Sequence, residues 1–230
     1  MTRLDTFLHR LYRFYGVVPP PPKDPFILFV WEVLSNHATP LKRDKALASL
    51  KKLHALTPDS MWRLPMATLE PIVRSVGPYT ENRLESLRNG IDIFRRNRDL
   101  PNTLRGPLPA ARRAVKPLPQ LGEQGAHRML LFTANQIVMP VDARVSRVGR
   151  RLGYGEMHKD FSKTARSVRE SICRELPPSL DAYQRAYVYL SHHGAMTCTE
   201  AHPHCTVCPL LKECPEGKKR VQSGDVFSET

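Results

Sequence analysis

Residues 118–155 read "LPQLGEQGAHRMLLFTANQIVMPVDARVSRVGRRLGYG" and contain two predicted helices, each preceded by a turn. The turn "LPQLG" (118–122) ends one helix and begins the next. A helix that starts there leaves the backbone N–H groups around Leu121 to Gly125 without helical partners, and these groups carry partial positive charge. Such a helix N-terminus is a ready phosphate site. A plain turn between two helices is the alternative.

The second helix of this stretch, "VDARVSRVGRRL" (141–152), separates into an apolar face and a basic face. The apolar positions are Val141, Val145, Val148 and Leu152. The basic positions are Arg144, Arg147 and Arg151. A row of arginines at helical spacing is often just a solvated face. Beside a phosphate-binding turn in a strongly basic chain, it instead predicts contacts with a DNA backbone.

The composition favours a nucleic-acid partner. The chain has 230 residues, and 35 Lys and Arg against 22 Asp and Glu give a formal net charge of +13. A surplus of that size predicts a polyanionic partner, with nucleic acid preferred to a membrane. No apolar run reaches the ~18 residues that a membrane span requires. The 41% of apolar residues is ample for a hydrophobic core.

The N-terminal stretch "MTRLDTFLHRLYRFYG" (1–16) lacks the apolar core of a signal peptide. A targeting peptide is one interpretation of its basic, amphipathic pattern, and a buried helix stripe is the preferred one. The stripe consists of Leu4, Phe7, Leu8, Leu11 and Tyr12. We therefore expect a protein that is not secreted: cytoplasmic, at the nucleoid if bacterial, with reduced cysteines.

The hydrophobic pattern is helical nearly throughout, so the predicted fold class is all-α. Apolar residues at three- and four-residue steps predict helices over 26–38, 38–53, 79–97, 160–176 and 179–192. Thr39 is the expected N-cap of the second of these helices, with Pro40 at its first position. The Pro-rich stretches 17–25 and 100–109 read as breaks. No sustained alternation indicates a sheet.

Four of the five cysteines lie in one loop: Cys198, Cys205, Cys208 and Cys214. Four thiolates this close together hold either a zinc ion or an iron–sulfur cluster. Zinc sites usually have two close pairs, whereas only Cys205 and Cys208 form such a pair here. The wider gaps on either side suit a bulkier cluster better than one small ion, although a zinc-dependent DNA-binding module stays open. Cys173 is expected to be a core residue.

The cysteine spacing and the stretch 118–155, on a basic helical chain, resemble the endonuclease III-like DNA glycosylases of the helix-hairpin-helix superfamily. Weaker matches lie in "VLSNHAT" (33–39) and "IVRSVGPYTENRLESL" (72–87). The resemblance covers about residues 25–217, in the family's order.

The resemblance implies a two-lobed fold with one [4Fe-4S] cluster on Cys198, Cys205, Cys208 and Cys214. The implied lobes are a six-helix barrel domain over 24–137, whose helix-hairpin-helix motif spans about 113–128, and a cluster domain formed by 1–23 and 138–230, whose cluster loop is 198–214. The implied partner is double-stranded DNA with a damaged or mismatched base, bound by a monomer. The base would be flipped into a cleft between the lobes and its N-glycosidic bond hydrolysed.

The resemblance also assigns roles to residues. Asp142 matches an aspartate that caps its helix and stabilises positive charge at the sugar C1′. Gln124 stands where bifunctional relatives have a lysine nucleophile, which implies an enzyme without lyase activity. The implied DNA-contacting residues are His37, Gln120, Leu121, Gly122, Gln124, Gly125, Arg144 and Arg147. Further candidates around the cluster are His202, His204, Lys212, Lys218, Lys219 and Arg220.

Three departures from the family pattern keep a second reading open. Besides Gln124, Gln120 replaces the hairpin's first glycine, where a side chain strains a turn that glycine tolerates. His37 replaces a glutamine that fills the gap left by the extruded base. The alternative is a catalytically inactive paralogue that binds DNA or lesions. The sequence does not identify the lesion.

Overall fold

The computed structural model describes residues 1–224, and within them the chain is helical with no strand, which confirms the predicted all-α class. The helices are α1 (Arg3–Tyr15), α2 (Pro25–Ser35), α3 (Pro40–Lys52), α4 (Pro58–Arg63), α5 (Met66–Arg74), α6 (Thr80–Arg96), α7 (Leu100–Arg105), α8 (Leu108–Val115), α9 (Gly122–Thr133), α10 (Ala143–Arg151), α11 (Phe161–Cys173), α12 (Leu180–Met196) and α13 (Pro215–Gln222). Two 3₁₀ turns, Cys205–Val207 and Leu211–Glu213, precede α13. None of these helices is long and apolar enough to cross a bilayer.

The chain divides into two compact units. One unit is Pro21–Gln136, with α2 to α9. The other combines Met1–Pro20 with the chain from Ile137 onward. The sequence placed these divisions after residues 23 and 137. The last six residues of the predicted range 138–230 lie outside the described residues.

Helix starts in the first unit follow the capping signals. Asp24 accepts a hydrogen bond from the backbone N–H of Ile27 at 2.9 Å, and Pro25 opens α2. Thr39 and Pro40 do the same for α3, as predicted. A proline at the first position loses no helical hydrogen bond, because that N–H has no partner in any helix. The long apolar face of α2 is buried and forms the centre of this unit.

The second unit packs α1, α10, α11 and α12 around a shared core. Four members of the predicted α1 stripe are buried, namely Leu4, Phe7, Leu8 and Leu11. Tyr12 was wrongly included, since it is 48% exposed. Phe161 of α11 is 47% exposed because it is the first residue of the helix. Cys173 is half-buried rather than a full core residue.

A close helix crossing fixes α10 in this second unit. A Cβ atom on Gly194 of α12 would lie 2.9 Å from the Cβ of Arg144 and 3.1 Å from its carbonyl oxygen. Real Cβ atoms do not approach that closely, so only glycine permits this contact. The crossing sets the position of the first turn of α10, which begins immediately after Asp142.

Candidate functional site

The turn between α8 and α9 uses a glutamine in a conformation that favours glycine. Gln120 has φ +62° and Gly122 has φ +54°. The amide Nε2 of Gln120 donates to Ser86 Oγ at 2.7 Å and to the carbonyl oxygen of Asn82 at 3.1 Å. The predicted strain is therefore present at this position. The two side-chain hydrogen bonds, which glycine would lack, offset part of its cost.

The first turn of α9 packs tightly against its neighbours. Leu121 is the N-cap of α9, and its side chain makes no capping hydrogen bond. A Cβ on Gly125 would lie 3.1 Å from Leu121 Cβ and 3.4 Å from Glu32 Oε2. Gln124, which the family resemblance predicts to stand at the position of a lysine nucleophile, is half-buried. An amide nitrogen, unlike the amine of a lysine, does not form an imine with a sugar carbon.

A buried ion pair that the sequence did not predict lies beside the first turn of α9. The guanidinium of Arg128, on α9, donates from Nε and from Nη2 to the two carboxylate oxygens of Glu32, on α2, the second contact at 2.6 Å. The side chain of Glu32 is 5% exposed and that of Arg128 is 12% exposed. The available signal was a single glutamate within the apolar run "FILFVWEVL" (26–34). A charge in that position requires a partner.

His37 lies on the surface of the first unit, in a pair of strained loops. His37 has φ +50° and Tyr79 has φ +66°, both left-handed conformations that are uncommon for such residues. Their rings are in contact, with centroids 5.1 Å apart and planes inclined at 53°. Tyr79 is 56% exposed. Strain of this kind persists only where surrounding structure holds it, and it is enriched at functional sites.

A buried arginine holds the two loops together. Arg83, on α6, is 1% exposed. Its Nη2 donates to the carbonyl oxygen of Asn36, and its Nη1 donates to the carbonyl oxygens of Gly77, at 3.2 Å, and Pro78. Burial lowers the pKa of Arg83 below its ordinary value. Arg83 gave no signal in the sequence because its partners are backbone carbonyl groups, one of them 47 residues away.

Asp142 is the N-cap of α10 and has two differently used oxygens. Its Oδ1 accepts from the backbone N–H groups of Arg144 and Val145, both at 3.0 Å. Its Oδ2 accepts from the hydroxyl of Tyr187, on α12, at 3.0 Å. The capping role that the sequence allowed is therefore present. The carboxylate is also oriented by a second helix, and no sequence motif pointed to Tyr187.

The predicted arginine row is not a DNA-facing surface at Arg147. Arg147 is 8% exposed. Its Nε donates to the carbonyl oxygen of Cys198 at 2.8 Å, its Nη2 to that of Gly194 at 2.6 Å, and its Nη1 to Glu200 Oε2 at 2.7 Å. The helical period placed it correctly on one face of α10, but the cysteine loop covers that face. The predicted DNA contact is therefore corrected to an internal anchor of the loop.

The other two arginines of the row differ from each other in their surroundings. Arg151 donates to the sulfur of Cys198 at 3.3 Å and to the carbonyl oxygens of Thr199, at 2.7 Å, and Glu200, at 3.1 Å. It too is engaged by the cysteine loop. Arg144 is half-exposed, at the first turn of α10. The predicted DNA contact of this row consequently stays a prediction for Arg144.

The four predicted cysteine ligands line a single cavity, together with His193 and Arg151. Donors point at the sulfurs: the N–H of Leu210 lies 3.4 Å from Cys208 Sγ, and that of Gly217 lies 3.3 Å from Cys214 Sγ. Burial, with a smaller contribution from nearby cysteines, raises the pKa of Cys208 to about 12. Among the described residues, no group of three or more His, Cys, Asp or Glu side chains is arranged to hold a single metal ion.

Basic residues of the cysteine region differ in their exposure. His202, Lys212, Lys218 and Lys219 are exposed, and His204 is half-buried. Arg220 pairs with Glu216 at 2.8 Å, one helical turn away on α13. The exposed lysines stay candidates for contact with a polyanion, whereas the charge of Arg220 is partly neutralised within α13.

The known proteins that are similar to this chain include endonuclease III, the family that the sequence motifs resemble. No protein-family model matches the chain. The endonuclease III of Bacillus subtilis (strain 168) is 24% identical over 201 residues, which are 87% of this chain and 85% of that protein. A solved non-covalent complex of endonuclease III with DNA has a TM-score of 0.75 at 22% identity, covering 96% of this chain and 100% of the other.

A thermostable thymine-DNA glycosylase has a TM-score of 0.63 at 17% identity, covering 94% of this chain and 97% of the other. The chain is thus similar to endonuclease III proteins over most of its length, as the motifs indicated, and it shares the fold of these solved structures. At these levels of identity, the solved structures establish the fold and not the chemistry.

Proposed function

We propose that this chain is a base excision repair glycosylase, which flips a damaged or mismatched base out of duplex DNA and hydrolyses its N-glycosidic bond. The observation that carries the proposal is the aspartate at the start of α10, whose carboxylate is held by two backbone amides and by Tyr187. A carboxylate fixed in this way can stabilise a developing positive charge without reorganising. The basic chain and the α8–α9 turn support DNA as the partner, bound by a monomer.

The reaction assigned to Asp142 is charge stabilisation at the sugar. As the bond between C1′ and the base breaks, its electron pair leaves with the base and C1′ becomes positive. The carboxylate of Asp142 stabilises that cation. Water then bonds to C1′ and loses a proton, leaving an abasic site. The carboxylate also orients this water or accepts its proton.

The expected enzyme does not cut the strand. Strand cleavage by the related bifunctional enzymes requires an amine that forms an imine with C1′, and Gln124 supplies an amide instead. The product of this chain is consequently an intact strand with an abasic site.

The lining of the cysteine cavity supports a [4Fe-4S] cluster as the proposed cofactor. Cys198, Cys205, Cys208 and Cys214 line one cavity. Arg151 donates to the sulfur of Cys198, and backbone N–H groups donate to the sulfurs of Cys208 and Cys214, as negatively charged thiolates require. Bound there, the cluster would supply a rigid cross-link for the loop and a one-electron redox centre. The exposed Lys212, Lys218 and Lys219 nearby would meet the DNA backbone.

Two observations favour a second function. Helix capping alone accounts for Oδ1 of Asp142, and Gln124 removes the nucleophile. A paralogue that binds DNA or lesions without catalysis would keep the same α8–α9 turn and cysteine loop.

Base release from a panel of duplexes decides between these functions. Each duplex carries one lesion: an oxidised pyrimidine, a thymine or uracil opposite guanine, or an alkylated purine. We expect free base from at least one duplex, full-length strands until alkali is added, and no adduct with borohydride. Tight lesion binding without base release from any duplex would instead establish the paralogue.

Asp142→Asn is the matched test of the mechanism. Asparagine is as good an N-cap as aspartate, so the variant keeps α10 and removes only the charge. We expect base release to fall by at least ~10²-fold, with DNA binding retained. Undiminished base release would show that Asp142 is only a helix cap.

A further inference from the structure

His193 connects the start of the chain to the cysteine cavity. It lies on α12 and is 2% exposed. Its Nδ1 is 2.8 Å from the hydroxyl of Tyr15, the last residue of α1, and its Nε2 is 3.7 Å from Cys208 Sγ. The same hydroxyl lies 2.6 Å from Thr197 Oγ1. These four side chains form one partly buried line of polar groups within the second unit, in which His193 and Thr197 are buried.

The hydrogen positions along this line follow from the chemistry of its members. A neutral imidazole carries hydrogen on one ring nitrogen only. With hydrogen on Nδ1, the lone pair of Nε2 would face the electron-rich sulfur of Cys208, which is repulsive. With hydrogen on Nε2, Thr197 donates to Tyr15, Tyr15 donates to Nδ1, and Nε2 donates to the sulfur. Every polar hydrogen then has an acceptor, which buried polar groups require.

The sulfur of Cys208 has a particular need for such a donor. The other donor that the structure places on it is the backbone N–H of Leu210, at 3.4 Å. A hydrogen bond to a cluster-bound thiolate withdraws electron density from the sulfur. It therefore favours the reduced, more negative state of an iron–sulfur centre, whose potential is set in part by such bonds.

We propose that His193 is a dedicated hydrogen-bond donor to the Cys208 thiolate of the cluster, that Tyr15 holds it in the donating tautomer, and that the pair raises the cluster's reduction potential. The proposal rests on the [4Fe-4S] cofactor proposed above. It makes α1 a functional part of the cluster site, although Tyr15 lies 193 residues before Cys208 in the sequence.

The test is the midpoint potential of the holo-protein, titrated with redox mediators after iron has been counted. Tyr15→Phe removes one oxygen atom and keeps the ring, and His193→Leu removes the donor. Both should shift the one-electron equilibrium toward the oxidised state by on the order of tenfold, which is a lowering of ~59 mV. His192→Gln is the control, since His192 packs edge-on against Tyr15 at 4.7 Å between ring centroids but has no bond to a cysteine in the structure.

The outcomes separate the inference from the cofactor on which it rests. A wild-type protein that contains zinc and no iron overturns both. Variants that keep four irons, wild-type melting temperature and wild-type potential overturn the role of His193 and leave the cluster in place. If His193→Leu loses its iron, Tyr15→Phe alone decides, because it leaves every ring and every cysteine unchanged.

Discussion

The hydroxyl of Tyr187 donates to Oδ2 of Asp142 at 3.0 Å, while Oδ1 of the same carboxylate receives two backbone N–H groups of α10. The two oxygens therefore have separate partners on two helices. Capping fixes one end of the carboxylate to its own helix. The hydrogen bond from Tyr187, on α12, prevents the carboxylate from rotating. Such a rotation would move the negative charge relative to a bound sugar.

Tyr187→Phe should consequently lower kcat without weakening DNA binding. The ring still fills its buried position, and the carboxylate keeps its charge and its cap. Loss of orientation at a reacting centre typically costs about 10- to 100-fold in rate. Single-turnover base release and DNA affinity measured side by side separate the two effects.

The double variant Tyr187→Phe/Asp142→Asn checks the route of this effect. If Tyr187 acts through Asp142, the double variant should be no slower than Asp142→Asn alone, because coupled residues are non-additive. Additive losses would mean that Tyr187 acts on the reaction by another path.

Local signals predicted this fold well, and long-range contacts explain where prediction failed. Thr39 and Pro40 start α3 as expected, because a cap acts within four residues. The period of α10 correctly placed Val145 in the core, but it could not show that a loop 51 residues later covers Arg147. Tyr187 and Arg83 escaped for the same reason, since their partners are distant in sequence.

Arg83→Met should loosen the paired rings of His37 and Tyr79. The variant removes the hydrogen bonds that hold the carbonyl groups of Asn36, Gly77 and Pro78 in two strained loops. If His37 contacts the base left unpaired by flipping, affinity should fall for a duplex with an abasic site opposite a purine. Affinity for a duplex lacking both bases should fall much less, because no base is left to stack.

The control for Arg83→Met is Arg88→Met, an exposed arginine on the same helix. It removes the same charge and leaves the loops in place. Equal losses in the two variants, on both duplexes, would show that the effect is only electrostatic.

Gln120 offers a test of backbone strain against hydrogen bonding. Gln120→Ala keeps the left-handed φ of +62° and loses both side-chain hydrogen bonds, so it should lower the free energy of unfolding by about 1 kcal/mol. Gln120→Gly loses the same bonds but relieves ~1 kcal/mol of strain. In denaturant unfolding, we expect the wild type and Gln120→Gly to have similar free energies of unfolding, both higher than that of Gln120→Ala. An alanine variant as stable as the glycine variant would contradict the strain.

Arg147→Ala and Arg144→Ala should affect two different properties, the stability of the cysteine loop and the salt dependence of DNA binding. Arg147 holds the cysteine loop through hydrogen bonds to Cys198, Gly194 and Glu200, so its loss should destabilise the loop and speed the release of any bound metal. The salt dependence of duplex binding should not change. Half-exposed Arg144, if it neutralises a phosphate, should make the log–log slope shallower by about one unit. A shallower slope for Arg147→Ala would restore it as a DNA contact.

The pair of Glu32 and Arg128 should show the asymmetry of buried charges. Glu32→Leu removes the carboxylate that faces the largely buried guanidinium of Arg128. Loss of one partner of a buried ion pair should lower the free energy of unfolding by about 3–5 kcal/mol. The double variant Glu32→Leu/Arg128→Leu removes both charges and should recover most of that loss, because apolar side chains of similar size suit the surroundings of α2 and α9. Chemical denaturation of both variants measures the difference. If the double variant is as unstable as the single one, the packing around Glu32, and not its charge, accounts for the loss.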